Sequence, residues 1–115
     1  LKLAPDVDVN YFYEDGKNLL SIAIESNLVD IRDLLISSGA NIEKANIDGE
    51  TPLILAAKNG RINSVNRLIS LKVKLDDQDP EGNTALHWAI KSKDEGLCSL
   101  LIRNGANVFK TNAEG

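Results

Sequence analysis

The 115-residue chain has no methionine, one cysteine, one histidine and five aromatic residues: Tyr11, Phe12, Tyr13, Trp88 and Phe109. A lone Cys98 excludes an intramolecular disulfide, and with the lone His87 it cannot furnish the ligand set of a zinc site. No Asn-x-Ser/Thr acceptor occurs. Both absences fit a reducing intracellular compartment, cytoplasm or nucleus. No apolar run approaches the ~18 residues of a membrane span, so no membrane insertion is expected in this segment. The opening Leu1-Lys2-Leu3-Ala4-Pro5 lacks the basic start and long apolar core of a signal peptide. Basic excess is missing too: the net charge is −4, which argues against direct nucleic-acid contact. There is no Gly-rich phosphate loop, no nucleophile elbow and no His-Glu-x-x-His pattern. No catalytic residue, cofactor or metal is therefore assigned, and the chain does not read as an enzyme.

What the sequence does contain is a period. Gly16, Gly49, Gly82 and Gly115 fall thirty-three residues apart, and Val9, Ile42, Leu75 and Val108 precede them at a constant distance. Such self-similarity marks a repeat architecture. The divisions it predicts are 1–13 as the tail of a truncated unit, three complete units at 14–46, 47–79 and 80–112, and 113–115 as the start of another. The whole of 1–115 forms one domain.

Each unit holds two short helical patterns. The first carries Leu20, Ala23 and Ile24, then Leu53, Ala56 and Ala57, then Leu86, Ala89 and Ile90, the i, i+3, i+4 spacing of one buried face. The second carries Leu35-Ile36, Leu68-Ile69 and Leu101-Ile102, with Ile31, Val65 and Leu97 in the turn before. Asn18, Thr51 and Thr84 share a register position and are good helix caps, and Pro52 suits a first helical position. Gly39 and Gly105 fit the left-handed residue after a helix. Helices this short are marginal alone and must stack on neighbours. The expected fold is all-α: a solenoid of helix-turn-helix units joined by hairpin-like loops.

At this point the residues resemble the ankyrin repeat family. Thr51-Pro52-Leu53-Ile54-Leu55-Ala56 and Thr84-Ala85-Leu86-His87-Trp88-Ala89 are each one residue from the family's Thr-Pro-Leu-His-x-Ala signature. Gly39-Ala40-Asn41-Ile42 and Gly105-Ala106-Asn107-Val108 are similar to its Gly-Ala-Asp-Val ending. The resemblance implies a protein-binding role, with partners meeting the loop tips and the exposed face of the first helices. It also implies that His87 ties adjacent turns by hydrogen bonds.

Departures from the pattern are informative. Asn18-Leu19-Leu20-Ser21 keeps the cap but loses the proline. Lys72 stands where the other units have glycine, which predicts either strain of ~1 kcal/mol or a different turn. Arg32 and Arg67 stand at apolar register positions, and each should lay its stem on the core edge with its head in water or in an ion pair. These substitutions make the second helix of the middle unit the expected soft spot. Cys98, on an apolar stripe, reads as a buried and inert thiol. Asp77, Asp79 and Glu81 ahead of Gly82 imitate a calcium loop. The twelfth position is then Trp88, where a glutamate is needed, so the run reads as a solvated hairpin tip.

The candidate partner-binding residues follow from the tips and first helices. Asp15 and Lys17, Ile47, Asp48 and Glu50, and Pro80, Glu81 and Asn83 flank the registered glycines, while Glu25, Lys58 and Lys91 close the first helices. Tyr11, Phe12 and Tyr13 form an aromatic tip whose counterparts, Lys44-Ala45-Asn46, Asp77-Gln78-Asp79 and Lys110-Thr111-Asn112, carry no aromatic residue. They serve either as binding anchors or as packing against an upstream unit or the first loop. Trp88 either packs between helices or faces the partner. The expected function is a non-catalytic interaction module with a protein partner; the alternative is a regulatory or spacer segment that docks on another domain of the same chain. Weak self-association of the uncapped fragment, whose flanking helices would show apolar faces, is expected as well.

Overall fold

The computed structural model describes residues 4, 6–13 and 16–113. It contains six helices in three antiparallel pairs: α1 (Leu19–Glu25) with α2 (Val29–Ser37), α3 (Pro52–Lys58) with α4 (Ile62–Ser70), and α5 (Ala85–Lys91) with α6 (Glu95–Arg103). The pairs stack side by side, α1 on α3 and α3 on α5, into an elongated body of 45 × 26 × 21 Å. Among the described residues there is no strand, only an isolated bridge between Phe12 and Asn18. No described helix is long and apolar enough to cross a membrane.

The first helices have 7 residues and the second helices 9, so they depend on caps and neighbours. Asn18 and Thr84 each accept a hydrogen bond from the backbone of the third helical residue, whose side chain bonds back to the cap. Ser21 completes this reciprocal box in α1 and His87 in α5. In α3 that position is Ile54, which cannot reciprocate; Thr51 caps alone and Pro52 presets the first turn. The His87 Nδ1 accepts from the Thr84 backbone N–H at 2.9 Å, which leaves the proton on Nε2, donated to the Lys110 carbonyl at 3.0 Å. The single histidine thus clasps α5 to the loop that follows α6.

The core runs through the stack. Leu20, Ala23, Ile24, Leu53, Ala56, Ala57, Leu86 and Ala89 come from the first helices, and Leu35, Val65, Leu68, Leu97 and Leu101 from the second. The middle helix α3 is buried from Pro52 to Ala57 because it has a neighbour on each side. Three residues expected in the core are instead exposed: Ile31, Ile90 and Ile102. They lie on the two end faces of the stack, which no described helix covers. At one of these faces Ile90, Cys98 and Ile102 line an open, mostly apolar depression of about 740 Å³. Burial and the nearby Asp94 and Glu95 carboxylates push the Cys98 thiol above its usual range, which disfavours the reactive thiolate.

Arg32 takes the ion-paired alternative, with Asp33, but lies deeper than the core edge: it is 3% exposed and is also held by Asn63 at 2.8 Å and by Ser64 at 3.0 Å. Arg67, partly exposed, lies 3.5 Å from the same Asp33 carboxylate. Lys72 keeps the turn shape of its glycine counterparts at φ 65°, so the backbone strain is real. Even with Arg67 and Lys72 nearby, α4 forms all nine residues and fully buries Val65 and Leu68.

Candidate partner-binding surface

The loop tips are built by one local rule. In each unit the residue three before the registered glycine donates its N–H to the carbonyl one past it: Tyr13 to Lys17, Asn46 to Glu50, Asp79 to Asn83. In the second and third tips the same residue staples the turn through its side chain. Asn46 Oδ1 accepts from the N–H groups of Asp48 and Glu50, and Asp79 Oδ1 from those of Glu81 and Asn83. Tyr13 occupies that position in the first tip and cannot act as a staple. Its side chain turns outward.

Successive tips sit directly on one another. A Cβ on Gly16 would overlap the Ile47 side chain, one on Gly49 would lie 2.7 Å from the Pro80 ring, and one on Gly82 would lie 2.9 Å from the Asn112 Cα. The registered glycines are therefore contact points between units as well as positive-φ turns. Ile47 and Pro80, both exposed, are the lids of these contacts.

Behind the tips a second ladder joins the units. Asn10 Oδ1 accepts from the Asn41 N–H at 2.8 Å, Glu43 Oε1 from Lys74 at 3.1 Å and Asp76 Oδ1 from Asn107 at 2.7 Å. The next residue in that register is Phe109, which carries no acceptor and is 87% exposed. It is absent from the sequence-derived site residues, although its register with three polar residues was a readable signal.

The structure distributes the other candidates unevenly. Tyr11 and Tyr13 are exposed and meet edge to face, with ring centres 5.3 Å apart. Phe12 is half-buried beneath the Lys44 ammonium, 5.0 Å from its ring centre. Asp15 lies outside the described residues. Asp48 and Glu81 are exposed at their tips. Glu50 and Asn83, by contrast, lie beneath the surface and do not form part of the exposed tip. Glu50 binds Lys58 at 2.8 Å, and Asn83 Oδ1 accepts from Asn112 at 2.9 Å. The register-equivalent pair in the first unit is Lys17 with Glu25, 3.2 Å apart, the same bridge with its charges exchanged.

The third unit has no such bridge. Its Lys91 ammonium lies 4.8 Å from the centre of the Trp88 ring, and Lys58 of the preceding unit lies 5.1 Å from it. Trp88 is half-buried and donates its indole N–H to Asp79 Oδ2 at 3.0 Å. The hydrogen bonds Asp79 accepts thus all come from the tip and first helix of the 80–112 unit. The hydrogen bond to Glu50 raises the Lys58 pKa above its usual value, more than partial burial lowers it.

The comparisons agree with this architecture. A family model described as ankyrin repeats, in three copies, matches residues 20–112. Alpha-latroinsectotoxin-Lt1a of Latrodectus tredecimguttatus is 36% identical over 97 residues, covering 84% of this chain and 7% of the toxin. Neurogenic locus notch homolog protein 1 of Xenopus laevis is 30% identical over 106 residues, covering 91% of this chain and 4% of that protein. A transient receptor potential cation channel subfamily A member 1 homolog of Caenorhabditis elegans is 32% identical over 106 residues, covering 91% of this chain and 9% of the channel. The chain spans less than a tenth of the length of each of these relatives.

Proposed function

The chain belongs to the ankyrin repeat family, whose repeats are non-catalytic and mediate protein–protein interaction, and on that premise we propose that it binds a protein partner through its loop tips and first-helix faces. The units are those read from the period, 14–46, 47–79 and 80–112. The stacked tips and helices hold side chains in fixed positions, so little order has to be created on binding. The observation that carries this reading is the Tyr11–Tyr13 pair. Two aromatic rings stand in solvent, braced against one another, at a position where the other units carry polar or turn-stapling residues. Aromatic groups of this kind bury a large area with few rotors to freeze.

The test is capture of partners from a lysate of the source cells by the chain and by its Tyr11→Ala/Tyr13→Ala variant. The expected result is retention by the parent and a loss of affinity of ~1–3 kcal/mol in the variant, with helical circular dichroism intact. A variant that unfolds, yet binds unchanged per folded molecule, would show that the pair serves packing only. A second reading is docking on another part of the same polypeptide. It is supported by the small share of the relatives, a channel homolog among them, that repeats of this length cover. Expression beside the remaining polypeptide would show it as protection of Tyr11 and Tyr13 in cis.

A further inference from the structure

Around Trp88 the charged groups form two layers. Below the surface lie Asp79 and Glu50, each 8% exposed. Asp79 is committed to two backbone N–H groups and the indole, and Glu50 to Lys58 and the Asn46 side chain. Above them Lys58 and Lys91 are exposed, and both ammonium groups sit over the same ring. Lys91 has no carboxylate within ion-pair distance among the described residues, and its ammonium rests on the Trp88 ring. The carboxylates thus act as buried props, and the charged groups left exposed over the ring are two ammonium ions, of which Lys58 is paired with Glu50 from below and Lys91 is not.

This ledge is local. In the first unit the registers of Trp88 and Lys91 hold Ile22 and Glu25, and Glu25 is bound to Lys17. We propose that the Lys58–Trp88–Lys91 ledge is the docking point for an acidic segment of a protein partner. One or two neighbouring carboxylates would pair with the two ammonium groups, and an adjacent apolar side chain would lie on the exposed part of the indole. This rests on the protein-binding function proposed above and specifies the chemistry the partner presents. A nucleic acid fits less well, because the exposed Asp48 and Glu81 on the tips of the same two units would repel an extended polyanion.

Trp88 is the only tryptophan, so its emission and its indole N–H resonance report on this ledge alone. The experiment titrates the chain with three short capped Gly/Ser peptides of equal length, each carrying one leucine beside two glutamates, two glutamines or two lysines, and with a single-stranded oligonucleotide. The expected result is that the glutamate peptide alone shifts both signals, more weakly as salt rises. Lys91→Gln should lower its affinity roughly two- to fivefold while leaving the thermal melt unchanged. An equal response to the glutamine or lysine peptide would overturn the carboxylate assignment and leave protein binding standing. A stronger response to the oligonucleotide would overturn it in favour of a polyanion site. Silence towards every peptide, or an unchanged affinity in Lys91→Gln, would remove the ledge as a docking point. The Tyr11/Tyr13 experiment decides the wider function independently of these outcomes.

Discussion

Where α2 meets α4, the facing pair is Arg32 and Ser64, both buried and joined by a 3.0 Å hydrogen bond. One repeat further on, the register-equivalent pair is Val65 and Leu97, both fully buried in the apolar core. The first junction is directional: the guanidinium must meet Asp33, Asn63 and Ser64 together, and a displaced helix leaves donors unsatisfied. The second relies on area and tolerates small shifts. A buried ionic junction is no stronger than an apolar one and is costly once broken. The same fold can therefore be spliced with two kinds of joint, one fixing geometry and one supplying stability.

The largest expected effect breaks the first joint. Arg32→Ala removes the guanidinium from a closed site and should cost roughly 2–4 kcal/mol in urea unfolding. Replacing the pair with a volume-conserving apolar one, Arg32→Leu with Ser64→Ala, should return stability to within about 1 kcal/mol of the parent. A double variant as unstable as Arg32→Ala would show that the individual hydrogen bonds, not the unpaired partners, set the cost.

The next effect contrasts the tip side with the back of the stack. Gly82→Ala combines positive φ with a backbone atom 2.9 Å away and should cost about 1–3 kcal/mol. Gly39→Ala meets nothing within 4 Å and should cost only its strain, ~1 kcal/mol. The reverse change, Lys72→Gly, should raise the unfolding free energy by ~0.5–1 kcal/mol. Equal losses at Gly82 and Gly39 would remove the distinction between contact glycines and turn glycines.

The smallest effect compares the two inverted bridges. Because Glu50 raises the Lys58 pKa in the folded state, its contribution is fully present below the unfolded value of 10.5 and is lost as pH rises through the folded value. The stability gap between the parent and Glu50→Gln, under ~1 kcal/mol because Lys58 is substantially exposed, should close in alkaline thermal melts. Glu25→Gln, whose bridge is longer at 3.2 Å and whose carboxylate is more exposed than that of Glu50, should change less.

The period made the helix order, the caps and the tips legible, since a thirty-three-residue register assigns each residue a counterpart. Register cannot tell the middle of a stack from its ends, which is why Ile31, Ile90 and Ile102 read as core. Nor does it show burial by folding back: Glu50 and Asn83 are neighbours of a tip in sequence, yet the turn carries them under it. Arg32 was legible as an anomaly but not as a network, because Asn63 and Ser64 arrive from another unit. Tyr13 was legible as an aromatic among polar counterparts, and the structure adds the reason it faces outward: it stands where an Asn or Asp would have stapled the turn.

The ladder from Asn10, Glu43 and Asp76 has a sense of direction. Each acceptor reaches forward, 31 residues on, to hold the backbone of the unit that follows, and no rung of the set reaches back. Damage to a rung should accordingly travel one way: Glu43→Ala should speed amide exchange at Lys74 while leaving Asn41 protected. The array behaves less like a stack of equal coins than like a zip fastener with one opening direction, and Phe109 is the tooth cut to a different shape.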